Sequence, residues 1–160
     1  MERETTTEVR IRFGDCDPIG HLNNVKYLEY MLNAREDHVE MFYGFTYEEY
    51  IKQTGCTWIT VQNEIAYLKE VRANSKVLIS SKVIEAHDRL SKIELLMKSP
   101  DGKTIHAVMW MTVIYFNMKI RQSEVQPNET TALFKKFLVE LEQKDFQSRA
   151  SFLRKQNKHA

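Results

Sequence analysis

At 160 residues, with 42% hydrophobic and 28% charged side chains, the chain has the make-up of one globular domain with a real core, which excludes a disordered segment. Twenty-three basic against 22 acidic residues leave a net charge of +1, so nothing calls for nucleic acid or an anionic membrane as the main partner. Two cysteines, Cys16 and Cys56, make no disulfide framework, no apolar run approaches the ~20 residues of a membrane span, and the start is polar; together these predict a cytoplasmic protein.

Residues 6–13 alternate apolar and polar at Val9, Ile11 and Phe13, the pattern of a first strand. A polar loop follows. Residues 24–43 then place Val25, Leu28, Met31, Leu32, Val39 and Phe42 at helical spacing, predicting a helix of about five turns closed by Gly44. Thr46 and Glu49 have capping-box spacing for a short second helix that ends at Gly55. Four segments rich in β-branched residues come next: 57–69, 76–87, 90–98 and 104–116. Their connections are short and carry turn chemistry, most clearly Pro100-Asp101-Gly102, so neighbouring strands run antiparallel. Residues 129–143 carry Leu133, Phe134, Phe137, Leu138 and Leu141 on a helical stripe behind Pro127 and Asn128. The chain thus divides into a single domain over 1–143 and a basic C-terminal tail over 144–160, expected to fray.

The order strand, long helix, four strands, helix gives an α+β domain. A five-stranded antiparallel sheet has a face to cover, and the long helix has the stripe to cover it, so a curved sheet wrapping that helix is the compact solution. An edge strand is left over, which predicts pairing with a second subunit.

The chemistry concentrates in the stretch from Arg12 to Ala34. Its loop packs Asp15, Cys16, Asp17, His21, Asn23 and Asn24 between Gly14, Pro18 and Gly20. Pro18 biases Asp17 away from helical backbone, and Asn23 or Asn24 suits the N-cap of the long helix. A carboxylate and an imidazole are thereby set near helix N–H groups that favour a developing negative charge. The same residue types also build ordinary turns and caps. Other catalytic signatures are missing: there is no G-x-S-x-G elbow and no glycine-rich phosphate loop, and two acidic neighbours disfavour a Cys16 thiolate. Nothing elsewhere in the sequence completes a metal-ligand set.

The run Phe13-Gly14-Asp15-Cys16-Asp17-Pro18-Ile19-Gly20, followed by His21-Leu22-Asn23-Asn24-Val25-Lys26-Tyr27-Leu28, resembles the hotdog-fold acyl-CoA thioesterases, and within them the 4-hydroxybenzoyl-CoA thioesterase-like (YbgC-like) group. The resemblance implies a five-stranded antiparallel sheet around a long central helix and hydrolysis of an acyl-CoA thioester, with no cofactor beyond the coenzyme A of the substrate. It implies Asp17 as nucleophile or general base, the Asn24 backbone N–H as oxyanion donor, and His21 as a group that orients substrate or shuttles a proton. Asp15, Tyr27 and Glu64 stand as substrate-binding candidates, although Asp15 also suits a loop-shaping role and Glu64 a solvent face. His21-Leu22-Asn23-Asn24 departs from the hydroxybenzoyl enzyme's form, which points to a fatty or other acyl group. The family's Pro-x-x-x-Gly-Asp turn is replaced by residues 68–75, Leu-Lys-Glu-Val-Arg-Ala-Asn-Ser. The partners implied are the acyl-CoA and a second copy of the chain, as homodimer or homotetramer. Two other readings stay open: a hotdog hydratase or dehydratase, and an acyl-binding module without turnover.

Overall fold

Strands form where β-branched segments meet across short turns. In the computed structural model, which describes residues 2–159, β1 (Thr5–Arg10), β2 (Cys56–Tyr67), β3 (Lys76–Ala86), β4 (Leu90–Lys98) and β5 (Ile105–Asn117) make one antiparallel sheet in the order β1-β3-β4-β5-β2. A two-residue β6 (Gln122–Ser123) pairs with the end of β5. The β4–β5 turn shows the local logic: Asp101 Oδ1 accepts from the Ser99 hydroxyl at 2.6 Å and the Lys103 N–H at 3.0 Å, and Gly102 takes a positive φ of 74°. Register shifts at Thr60/Gln62, Val83/Glu85 and Met97/Lys98 are bulges, which bend and twist the strands they interrupt. The sheet curls around α1 (Asn24–His38), which continues as one π-helical turn to Tyr43 and stops at Gly44, left-handed at φ 86°.

The two faces of the sheet carry different layers. On the inner face Met31 of α1 packs with Ile79, Ile93, Leu95, Met97 and Met109, all essentially without exposure. Burying a side chain of this size contributes roughly 2 kcal/mol against leaving it in water. On the outer face Ile84, Leu96, Val108 and Trp110 pack against Ala150 and Leu153 of α4 (Phe146–Lys158). The remaining helices, α2 (Tyr47–Thr54) and α3 (Asn128–Lys136), sit at one end of the inner layer.

Four expectations are corrected. The first strand ends at Arg10, and Phe13 lies 76% exposed in a 3-10 turn, because the chain folds back there to begin the loop. The buried stripe of α1 is Tyr27, Met31, Ala34, Arg35 and His38, while Val25 is 73% and Phe42 45% exposed. Met31 and Val39 of the predicted stripe are buried and Leu28 and Leu32 pack against the core, so the apolar count finds much of the face and misses only its ends and its polar members. The predicted helix 129–143 stops at Lys136. Most of the stretch expected as a frayed tail is instead the helix α4, capped by Asp145, whose side chain accepts from the Ser148 N–H at 2.8 Å. Its anchor is Arg149, which donates from Nε (2.8 Å) and Nη2 (2.7 Å) to Glu94, a carboxylate with no exposure. Strand boundaries and the α2 capping box agree closely with expectation.

Candidate active site

The loop between β1 and α1 is organised by its own polar groups. The Asp15 and Cys16 N–H groups close the 3-10 turn onto Arg12 and Phe13 carbonyls, each at 3.1 Å. A tight hairpin follows, in which Asp17 N–H donates to the His21 carbonyl at 2.8 Å and Cys16 pairs with Leu22. Gly20 turns it at φ 85°, a conformation that side-chain-bearing residues resist. Residues 71–73 lie alongside: Leu22 N–H donates to Val71 carbonyl at 2.8 Å and Ala73 N–H to Gly20 carbonyl at 2.9 Å. The segment that departs from the family's turn therefore becomes a backbone splint for the hairpin.

Asp17 is half-buried, and its Oδ1 accepts two backbone hydrogen bonds, from Ile19 at 3.0 Å and His21 at 2.9 Å. Among the described residues nothing bonds Oδ2. The carboxylate is thus oriented with one oxygen left for chemistry. The His21 ring is half-buried and makes no hydrogen bond among the described residues; Glu70 lies near it, its carboxyl held below the ordinary range first by its own backbone N–H, with His21 adding. Asn24 is the first residue of α1. Asn23, one of the two expected residues, occupies the cap position, but its side chain makes no capping bond. Lys26 N–H closes onto the Asn23 carbonyl at 2.9 Å, and the N–H groups of Asn24 and Val25 are left open among the described residues.

The remaining candidates separate. Asp15 is tied into the loop: the Tyr30 hydroxyl donates to its Oδ2 at 2.6 Å and accepts from Arg12 N–H at 2.8 Å, and Lys26 lies 3.7 Å from Oδ1. Tyr27 is only 3% exposed and packs edge-on to Tyr67, ring centroids 5.0 Å apart, so it backs the site rather than lining it. Glu64 pairs with Trp110, and that register puts it on the outer face, opposite α1 and Asp17. Sequence reasoning missed Tyr30 and Tyr67, whose hydroxyl donates to the Asn24 carbonyl at 3.1 Å. A tyrosine one helical turn past Lys26 was the available signal for Tyr30; the contact of Tyr67 depends on tertiary folding and had none.

Burial pushes the Cys16 thiol up, and Asp15 and Asp17 push it further, which removes it as a nucleophile at neutral pH. Burial, then the bond to Asp15, likewise raises the Tyr30 phenol. Asp17, in the hairpin that leads into α1, keeps one carboxylate oxygen with the chemistry to accept a proton or attack a carbonyl. Among the described residues no cluster of three or more His, Cys, Asp or Glu forms a metal-ligand set, and no helix is long and apolar enough to cross a membrane.

Residues 11–148 match the family model described as the thioesterase-like superfamily. No curated protein matches the chain. Solved structures do. YbaW of Escherichia coli, described as a probable thioesterase, aligns with TM-score 0.72 at 18% identity over 84% of this chain and 98% of its own. The DHNA-CoA thioesterase of Staphylococcus aureus aligns with TM-score 0.73 at 18% identity over 83% and 89%. A hypothetical Staphylococcus aureus protein solved in complex with CoA aligns with TM-score 0.77 at 15% identity over 91% and 92%. At these identities the likeness establishes the fold, which is the hotdog fold.

Proposed function

The chain belongs to the thioesterase-like superfamily, and from that premise we propose that it hydrolyses an acyl-CoA thioester to the free acid and coenzyme A. The observation that carries this reading is the Asp17 carboxylate, held by two amides through Oδ1 with Oδ2 unbonded, in the hairpin that leads into the uncapped start of α1. A thioester carbonyl seated against the Asn24 N–H has its developing oxyanion met by a fixed donor and the positive end of the helix. Asp17 then acts in one of two balanced ways. Attack by Oδ2 forms a mixed anhydride and expels the coenzyme A thiolate, after which water cleaves the anhydride. Alternatively Oδ2 takes a proton from water, which adds to the carbonyl and displaces the same thiolate. In the second route the proton taken by Oδ2 passes to the leaving thiolate, and in the first the hydrolysing water supplies it, with His21 as the group that shuttles it. The chemistry needs no cofactor, and Asp15 serves it by shaping the loop through Tyr30.

The working unit we assign is a homo-oligomer. The outer edge of the 12-residue β2 pairs with no strand among the described residues, and Ile59 (37%) and Val61 (53%) lie exposed on it. Phe13, Ile19 and Val25 stand exposed around the loop, apolar surface that a second copy would cover. Free Cys16 and Cys56 favour a reducing, cytoplasmic setting for this activity.

The test is free-thiol release from a panel of aliphatic and aromatic acyl-CoAs, with ligand binding measured in parallel. The proposal predicts turnover of at least one member. Binding of the panel with no coenzyme A released overturns it and leaves an acyl-binding module.

A further inference from the structure

At the far end of α1 the core holds a positive charge without a negative partner. Arg35 is 3% exposed. Its Nη1 donates to the Ser81 hydroxyl at 3.0 Å and its Nη2 to the Tyr43 hydroxyl at 3.2 Å, with the guanidinium 4.8 Å over the Tyr43 ring. Among the described residues no carboxylate lies within ion-pair distance of it. Hydroxyls and a ring satisfy donors but do not compensate the charge, and an uncompensated buried cation is costly.

Arg35 also borders a small interior void. With Phe45, Tyr47, Trp58 and Phe134 it lines a cavity of about 20 Å³, room for one water-sized group. Phe45 is in turn a wall of a larger groove, about 570 Å³, between α2 and α3. Tyr43, whose hydroxyl holds Arg35, lines that groove too, with Ala132 and Leu133. The α2 helix beside it has no fully buried residue and is tied across to α3 by the Tyr50 hydroxyl, 3.0 Å from that of Thr130. Lys136 adds a second positive group at the rim, and Glu129 opposes it there.

We propose that the groove and the cavity behind it form a second binding site, separate from Asp17, for an apolar molecule that ends in a carboxylate. The stem lies against Tyr43, Phe45 and Leu133, and the carboxylate pairs with Arg35. Eleven residues of helix separate Asn24 from Arg35, about 16 Å at 1.5 Å per residue, so the two sites do not overlap. The ligand class includes the acids that acyl-CoA hydrolysis releases, but the site does not depend on that activity.

The experiment is calorimetric titration of the full chain with octanoate and with octanol, in wild type, Arg35→Met, Ala132→Trp and Asp17→Asn. Wild type is expected to bind octanoate at least ~10-fold more tightly than octanol. Arg35→Met removes that preference and leaves octanol binding in place; Ala132→Trp, at an exposed position on the groove wall, weakens both ligands. Should Arg35→Met fail to fold, Ala132→Trp and the octanoate-to-octanol ratio decide alone. Asp17→Asn leaves octanoate binding unchanged, so failure of the hydrolysis reading would leave this result standing. Equal affinity for octanoate and octanol, no octanoate binding, or wild-type binding in Ala132→Trp overturns the proposal. So does a change of octanoate affinity in either direction in Asp17→Asn, which would place the ligand at the active site, or displacement by an equal concentration of chloride, which would mark a site for simple anions.

Discussion

Two aspartates one residue apart divide their work according to what meets their oxygens. Asp15 gives Oδ2 to the Tyr30 hydroxyl and faces Lys26, while Asp17 gives Oδ1 to two amides and keeps Oδ2 open. The sequence named both residues, yet only folding assigns these partners, because Tyr30 arrives from the second turn of α1. His38 shows the same dependence. Its Nδ1 lies 2.7 Å from the Ser81 hydroxyl and its Nε2 3.1 Å from the Thr7 hydroxyl, with no exposure. Burial, and then the charge of Arg35, depress its pKa from 6.5 to about 4. Between those values the unfolded chain binds the proton and the folded one does not. Stability therefore falls as pH drops through this window, by up to roughly 3 kcal/mol. Urea unfolding of wild type and His38→Gln at pH ~7 and pH ~5 checks this: the variant should lose distinctly less stability between the two. Parallel losses in both proteins would contradict it. Glu64 marks the limit of reading residues singly, since one strand register decides its face.

Among the elements, strands and the α2 cap were the most legible, because alternation and turn chemistry are local. The buried face of α1 was legible only in part: Met31, Val39, Leu28 and Leu32 marked it, while Arg35 and His38 share that face as polar residues an apolar count passes over. The α4 helix was missed for a related reason: its anchor is an ion pair. Glu94 accepts from Arg149 twice and from the Trp110 indole N–H at 2.8 Å, and Lys82 stands 3.4 Å away. Lys82 and Lys98 reach on to Glu4, where burial opposes ionisation but the two ammonium groups outweigh it and hold the carboxyl at about 2. Nothing in the sequence of a basic tail announces a partner 55 residues earlier. Arg149→Met should cost on the order of 3 kcal/mol in urea unfolding, because it strands a buried carboxylate, and adding Glu94→Gln should recover at least half of the loss. A single variant within about 0.5 kcal/mol of wild type would show that the pair does not hold α4 to the sheet.

At the scale of the whole molecule, the topology leaves β1 and β2 at the sheet edges and sets α4 over part of the outer face. Short loops and the count of strands made the antiparallel sheet legible, and one long helix made its wrapping legible. What a second copy would cover was legible only as an edge. The pairing we propose predicts that sedimentation shows at least a dimer, and that Gln62→Pro, set beside the bulge where β2 is exposed, shifts it toward monomer. A monomeric wild type would contradict the assembly.

The proposed hydrolysis rests on one carboxylate. Its most direct measurement is the rate of coenzyme A release by wild type beside Asp17→Asn on the best acyl-CoA of the panel, with melting curves to confirm that both are folded. The substitution keeps the side chain's size while removing its charge and basicity. The account predicts a loss of ~10²-fold or more in kcat/KM with the fold intact. A folded variant that keeps its rate within about threefold of wild type would contradict it.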